Sequence, residues 1–238
     1  MDADTLLVAR MPGGDPEIFA SVQGEGASAG RPSTFVRLAV CNLQCSWCDT
    51  AYTWDWTRYD RPDAILPMTP AAVADRVAQL PPRNTVITGG EPLLQRHRLA
   101  PLLRELHACG WRVEIETNGT VSPGPLADLV DQWNVSPKLA NAGNAGLRPM
   151  RMATLRQFAG LESSWFKFVV TRPADVDEAA ALAREAGMPP ERVILMPEGR
   201  SPSDLAARST WLAEACTALG FRFSTRLHVL LWGDRRGV

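Results

Sequence analysis

Three cysteines stand within eight residues, in the run Cys41-Asn42-Leu43-Gln44-Cys45-Ser46-Trp47-Cys48, directly after an apolar stretch from Thr34 to Val40. A thiolate is a soft ligand, so the C-x3-C-x2-C spacing points to a metal or cluster site. Structural zinc tolerates gaps of two to four residues between cysteines, and wants four ligands. His97, His107, His228, Cys109 and Cys216 could offer a fourth, although none is close in sequence. An iron–sulfur cube usually takes four cysteines. A trio leaves one iron without a protein ligand, which suits a cluster that must hold a substrate or cofactor. Spacing alone leaves both chemistries open.

Other residues ask for partners. Arg37 lies four residues before Cys41 on an otherwise apolar run. It needs either a structural carboxylate or a substrate carboxylate gripped by its planar fork. Thr50 follows Asp49; such a pair forms turns, but the hydroxyl is also a weak ligand for Mg²⁺, an ion that keeps several waters and accepts substrate oxygens. Thr88-Gly89-Gly90-Glu91-Pro92 reads as a turn before a helix, or as bare backbone that lets a ligand come close. Glu116-Thr117-Asn118-Gly119 follows a later strand, and Gln23-Gly24-Glu25-Gly26 is a glycine-rich loop.

The elements that must position these residues alternate. Strands are predicted at Thr85–Thr88, Arg112–Glu116, Trp133–Val135, Trp165–Val170 and Val193–Met196, with a last one over Phe221–Thr225. Helices are predicted from Thr69-Pro70 to Leu80, then Arg98–Cys109, Pro125–Asp131, Pro149–Ala159, Ala174–Ala186 and Ser203–Leu219. Cys109 and Cys216 continue leucine stripes and read as small core residues. Alternating strands and amphipathic helices imply an α/β fold with parallel strands, built as one domain. In a parallel barrel the site lies at the C-terminal strand ends. The cysteine loop, TGGEP, ETNG, Ser136-Pro137-Lys138 and Met196-Pro197-Glu198-Gly199 all fall there.

With 238 residues, 45% of them hydrophobic, the chain can build one sizeable core. A net charge of −1 without a basic run argues against nucleic acid as a partner. No apolar run reaches the roughly 18 residues of a membrane span. Residues 1–16 lack a basic start and an apolar core, so they read as a flexible N-terminal leader before a catalytic domain over 17–238. Free thiols then fit a cytoplasmic setting.

The cysteine motif, with the stretches at 88–92 and 116–119, resembles the radical S-adenosylmethionine (SAM) enzymes. Glu17-Ile18-Phe19, the run Ser21 to Gly26, Phe35 to Leu38, Cys41 to Thr50, Tyr52-Thr53-Trp54, and Arg226-Leu227-His228 through Leu231-Trp232-Gly233 narrow the likeness. They look like the 7-carboxy-7-deazaguanine synthase family, ring-contracting enzymes of 7-deazapurine (queuosine) biosynthesis. The likeness runs from about Glu17 to the C-terminus, and implies a partial (βα)6 barrel.

It also implies roles. Cys41, Cys45 and Cys48 would hold a [4Fe–4S] cluster whose open iron takes SAM, and Thr50 a Mg²⁺. Trp47, Cys48, Asp49, Gly90, Ser136, Pro137, Lys138, Met196, Pro197, Glu198 and Gly199 would contact SAM. Val22, Gln23, Gly24, Arg37 and Thr88 would contact the pterin substrate, 6-carboxy-5,6,7,8-tetrahydropterin. Glu25, His228 and the Val238 carboxylate have no assigned role. The implied reaction is reductive cleavage of SAM, hydrogen removal from C6 of the pterin, ring contraction, and loss of ammonia to give 7-carboxy-7-deazaguanine. Flavodoxin or ferredoxin would supply electrons to a homodimer. The alternatives are a glycyl-radical-enzyme activase, which would share the cluster motif, and a non-catalytic zinc-binding module.

Overall fold

The computed structural model describes residues 4–144 and 152–238. Among the described residues ten strands form one sheet: β1 Leu6–Ala9, β2 Ile18–Val22, β3 Pro32–Leu38, β4 Ile65–Met68, β5 Asn84–Gly89, β6 Arg112–Thr117, β7 Gln132–Val135, β8 Ser164–Val170, β9 Val193–Pro197 and β10 Arg222–Phe223. Their order is β10-β9-β8-β7-β6-β5-β3-β1-β4, with β2 on β3. Every pairing from β3 through β10 is parallel. The two ends of the order do not meet, so the sheet is an open part-barrel.

The helices are α1 Arg61–Ala64, α2 Pro70–Ala78, α3 Arg96–Ala108, α4 Met152–Ala159, α5 Pro173–Ala186, α6 Pro202–Leu219 and α7 Leu227–Trp232. Local chemistry sets their ends. The Thr69 hydroxyl accepts from Ala72 N at 3.2 Å to start α2. Ser201 and Asp204 form a capping box at the head of α6. Gly187, at φ 74°, stops α5 in the left-handed region that suits glycine. α3 packs on β6, α5 on β8, and α6 on β9 and β10. Between sheet and helices lie Trp133, Phe158, Phe166 and Phe168, all fully buried. Each such side chain contributes about 1.5–3 kcal/mol.

Three expectations need correction. Leu6–Ala9 is no leader: it pairs antiparallel with β4 and β3, and its side chains are buried. Four apolar residues are too short a run to signal a strand until a neighbouring edge claims them. Cys109 is exposed, because α3 ends at Ala108 and the cysteine is its C-cap; Cys216 is buried as expected. The segment Gly124–Leu129 is a 3-10 rather than an α-helix. Of the helix expected over Pro149–Ala159, Pro149, Met150 and Arg151 lie outside the described residues.

Candidate active site at the C-terminal strand ends

Period-two alternation gives each inner strand two faces. On β6, Val113 and Ile115 enter the apolar core, while Arg112, Glu114 and Glu116 point the other way. The fully buried Glu114 accepts from Ser28 Oγ at 2.8 Å, Gln132 Nε2 at 3.1 Å and Asn134 Nδ2 at 2.9 Å. Arg112 also donates to Glu114, to Asn84 Oδ1 at 2.8 Å and to Gln132 Oε1 at 2.7 Å. This satisfied polar layer plugs the lower part of the sheet. Above it, Glu116 accepts from Gln23 Nε2 at 3.1 Å and Thr88 Oγ1 at 2.7 Å.

Above that layer lies a cavity of about 350 Å³. Cys41, Cys45, Trp47, Cys48, Asp49 and Thr50 line it from the loop after β3. Of the other expected residues, Val22, Gln23, Gly24, Arg37, Thr88, Gly90, Ser136, Lys138, Met196 and Glu198 also line it. Pro137, Pro197 and Gly199 are not among its lining residues. A Cβ on Gly199 would come within 2.7 Å of Asp204 Cβ, so this glycine serves the packing of α6.

The cysteine loop has no helix or strand across 39–50 and is held by polar ties instead. Ser46 N donates to Ala142 O at 2.9 Å, and Gln44 N to Asn144 Oδ1 at 2.8 Å. Asn42 Nδ2 reaches Thr120 Oγ1 at 2.8 Å. Val40, just before Cys41, has φ 74°, a conformation that costs a β-branched residue energy. Gly89 and Gly90 let this turn close. A Cβ on Gly89 would stand 2.0 Å from Leu38 O, and one on Gly90 2.2 Å from Val40 O. Their bareness therefore serves backbone passing backbone. Glu91, fully buried, caps the same junction by accepting from Leu93 N at 3.0 Å, Thr117 Oγ1 at 2.8 Å and Asn118 N at 2.7 Å. Burial holds its carboxyl above the ordinary range.

A model of the radical SAM superfamily matches residues 36–207. The chain is 42% identical to the 7-carboxy-7-deazaguanine synthase of Pyrobaculum aerophilum over 226 residues, 93% of this chain and 95% of that one. The chain belongs to the 7-carboxy-7-deazaguanine synthase family of the radical SAM superfamily. Its similarity to the Hyperthermus butylicus member is 38% over 224 residues, 90% of this chain and 91% of that one. The crystal structure of QueE from Escherichia coli shares the fold at a TM-score of 0.70 and 24% identity, over 94% of this chain and 95% of that one.

As a radical SAM site, the donor set fits a cluster. Each cysteine sulfur has an N–H donor near it. Asn144 Nδ2 lies 3.1 Å from Cys45 Sγ, Trp54 Nε1 3.3 Å from Cys48 Sγ, and Leu43 N 3.5 Å from Cys41 Sγ. Burial pushes the Cys41 thiol up to about 12 and raises Cys45, so iron must displace protons to bind here. Among the described residues, no group of three or more His, Cys, Asp and Glu side chains is disposed to hold a single metal ion. A cluster, in which each cysteine holds a different iron, places no such demand on the trio.

Several lining residues were not singled out from sequence. Glu116 was seen only as part of a motif, yet its place on the polar face of β6 was readable from the alternation Arg112, Glu114, Glu116. Lys167 and Arg226 both pair with Glu25, Arg226 Nε at 2.9 Å, and Arg226 continues to Asp49. Burial raises the Glu25 carboxyl, but Lys167 and Arg226 outweigh it and hold the group well below its usual value. Burial pushes the His228 imidazole below its ordinary value, against the pull of Glu25. A Cβ on Gly24 would lie 2.0 Å from His228 Nδ1, so the imidazole occupies the space left by the bare glycine of the QGEG loop. Gly233 through Val238 also line the cavity, a placement no local pattern announces.

Proposed function

We infer that this chain is a radical SAM enzyme that converts 6-carboxy-5,6,7,8-tetrahydropterin to 7-carboxy-7-deazaguanine and ammonia. The observation that supports this most is the convergence of the cysteine trio with Gln23, Arg37 and Thr88 on one cavity. Its volume is that of a small-molecule site. The cluster and SAM supply, when bound, the one-electron chemistry that starts ring contraction.

The chain's own residues bind, orient and shield. Cys41, Cys45 and Cys48 hold the cluster as thiolates. Lys138, whose Nζ donates to Ser136 Oγ at 2.8 Å and lies 5.5 Å from the centre of the Trp47 ring, offers a cation to SAM, and Ser136 a hydroxyl. Gly90, Asp49, Met196 and Glu198 line the same cavity. Arg37 uses Nε on Glu17 at 2.8 Å and turns its fork to the substrate carboxylate. Gln23 and Thr88, both oriented by Glu116, present an amide and a hydroxyl to the pterin edge. Thr50 gives a hydroxyl to a Mg²⁺ completed by water and substrate oxygens. The enzyme works in the cytoplasm as a homodimer, reduced by a flavodoxin or ferredoxin. No described helix is long and apolar enough to cross a membrane.

Anaerobic reconstitution tests the class. The protein should take up iron and sulfide and cleave SAM when reduced, and Mg²⁺ should raise turnover of the carboxypterin. Bound zinc without sulfide would overturn the reading. Activity only on a partner protein would place it with the glycyl-radical activases.

A further inference from the structure

We propose that Arg236, on the C-terminal segment, is a positioning residue that sets how much positive charge Arg37 presents to an anionic substrate. The inference rests on the reading above, in which the substrate carboxylate meets Arg37.

Glu17 is 0% exposed and lies between the two guanidinium groups. Its Oε1 accepts from Arg37 Nε at 2.8 Å and from Tyr52 OH at 2.9 Å. Its Oε2 accepts from Arg236 Nε at 3.0 Å and Nη2 at 2.5 Å. Arg236 Nη2 also donates to Arg10 O at 2.6 Å, and its guanidinium stands 3.6 Å from the centre of the Tyr52 ring. Gly237, at φ 77°, turns the chain against Met11. Arg236 thus seats the end of the chain with hydrogen bonds, an ion pair and a ring contact, and Asp234 adds an ion pair to Arg200 at 3.6 Å.

Charge counting gives the consequence. With the tail seated, one carboxylate serves two guanidiniums, and the trio carries a net +1; of the tail's other charges that line the cavity, Asp234 is paired with Arg200 at 3.6 Å and Arg235 is offset by the Val238 carboxylate. With the tail lifted, Glu17 and Arg37 neutralise each other. Asp49, the other carboxylate near Arg37, is taken by Arg226. Arg37 lines the cavity, and among the described residues its Nη nitrogens hydrogen-bond to none. A seated tail therefore leaves a guanidinium edge with uncompensated charge facing the ligand. By linkage, an anionic ligand must favour the seated tail as much as the tail favours the ligand.

The test uses full-length, cluster-loaded protein with SAM and two oxidised probes, 6-carboxypterin and pterin without the carboxylate. Arg236→Gln should weaken 6-carboxypterin binding about tenfold or more. Binding of the plain pterin should change little, and Arg236→Lys should recover part of the loss. Hydrogen exchange at 233–238 in the unaltered protein should slow on adding 6-carboxypterin and not on adding pterin, a readout that needs no variant to fold. Equal loss of both probes, no loss of either, or tail exchange blind to the carboxylate would each overturn the proposal. Arg37→Gln separates the two claims. If it binds 6-carboxypterin normally, the substrate reading fails; if it loses selectivity while Arg236→Gln does not, only the role of Arg236 fails.

Discussion

Gly90→Ala should cost this protein its cluster before it costs it its fold. The added Cβ would stand 2.2 Å from Val40 O, 2.6 Å from Val40 C and 3.0 Å from Cys41 N. Ordinary contact begins near 3.4 Å, so relief requires about 1.2 Å of movement. The obstacle is backbone, which cannot swing aside as a side chain does. Val40 has little slack: its φ is already 74°, its N donates to Thr53 O at 2.7 Å, and its O accepts from Glu91 N at 2.9 Å. Overpacking of this kind costs about 1–3 kcal/mol. The strained Glu91 hydrogen bond adds about 1 kcal/mol. For a chain of this size that lowers Tm by roughly 4–16 °C. Since the clash pushes on the residue joined to Cys41, the larger effect falls on the metal site. Iron and sulfide analysis after anaerobic reconstitution, with calorimetry on the same samples, reads both. Gly13→Ala is the control, because nothing lies within 4 Å of its added Cβ. A Gly90→Ala protein with full iron content and an unchanged Tm would refute the close-approach argument.

Other consequences follow from the same geometry. Trp54→Phe and Asn144→Leu each remove an N–H donor from a cysteine sulfur, Cys48 and Cys45, proposed to hold the cluster, and should shift its reduction potential to more negative values in an EPR-monitored titration; an unmoved potential in both counts against the sulfur contacts. Burial raises the Glu17 carboxyl, but Arg37 and Arg236 outweigh it and hold it below its ordinary value near 4.5. Its stabilisation is therefore complete above that value and is lost as pH falls through the lower, folded-state value. Glu17→Gln should cost about 3 kcal/mol in neutral urea melts, a gap that narrows below pH 4.5; a gap constant with pH contradicts the pairing. Iodoacetamide should label Cys109 in the folded protein and Cys216 only after unfolding, read by peptide mass; early labelling of Cys216 would place it wrongly.

The parts legible in the sequence were those fixed by local pattern. The β-branched run at Thr85–Thr88, the Thr69-Pro70 cap and the glycine after Ala186 each announce their element through short-range sterics or hydrogen bonding. The motif loops fall at strand ends because parallel strands put them there. What local pattern could not show depends on contacts distant in sequence. Leu6–Ala9 becomes a strand only beside Ile65–Met68. The residues around Arg37 do not by themselves choose between a structural and a substrate carboxylate, and only the family likeness points to the substrate; the structure supplies Glu17, twenty residues earlier, at Nε and leaves the fork unbonded among the described residues. Cys109 continued a leucine stripe on paper, but the helix ended one residue too soon. The tail reaches the cavity through Arg236, more than two hundred residues from the Glu17 that holds it.

The most direct test of the account is an anaerobic turnover assay. Reconstituted protein is given SAM, Mg²⁺, a reductant and 6-carboxy-5,6,7,8-tetrahydropterin, and the products are weighed by mass spectrometry. The account predicts 7-carboxy-7-deazaguanine from the intact protein and none from Cys45→Ala. SAM cleavage without that product would leave a radical SAM enzyme with the wrong substrate, and neither cleavage nor product from fully loaded protein would contradict the account at its centre.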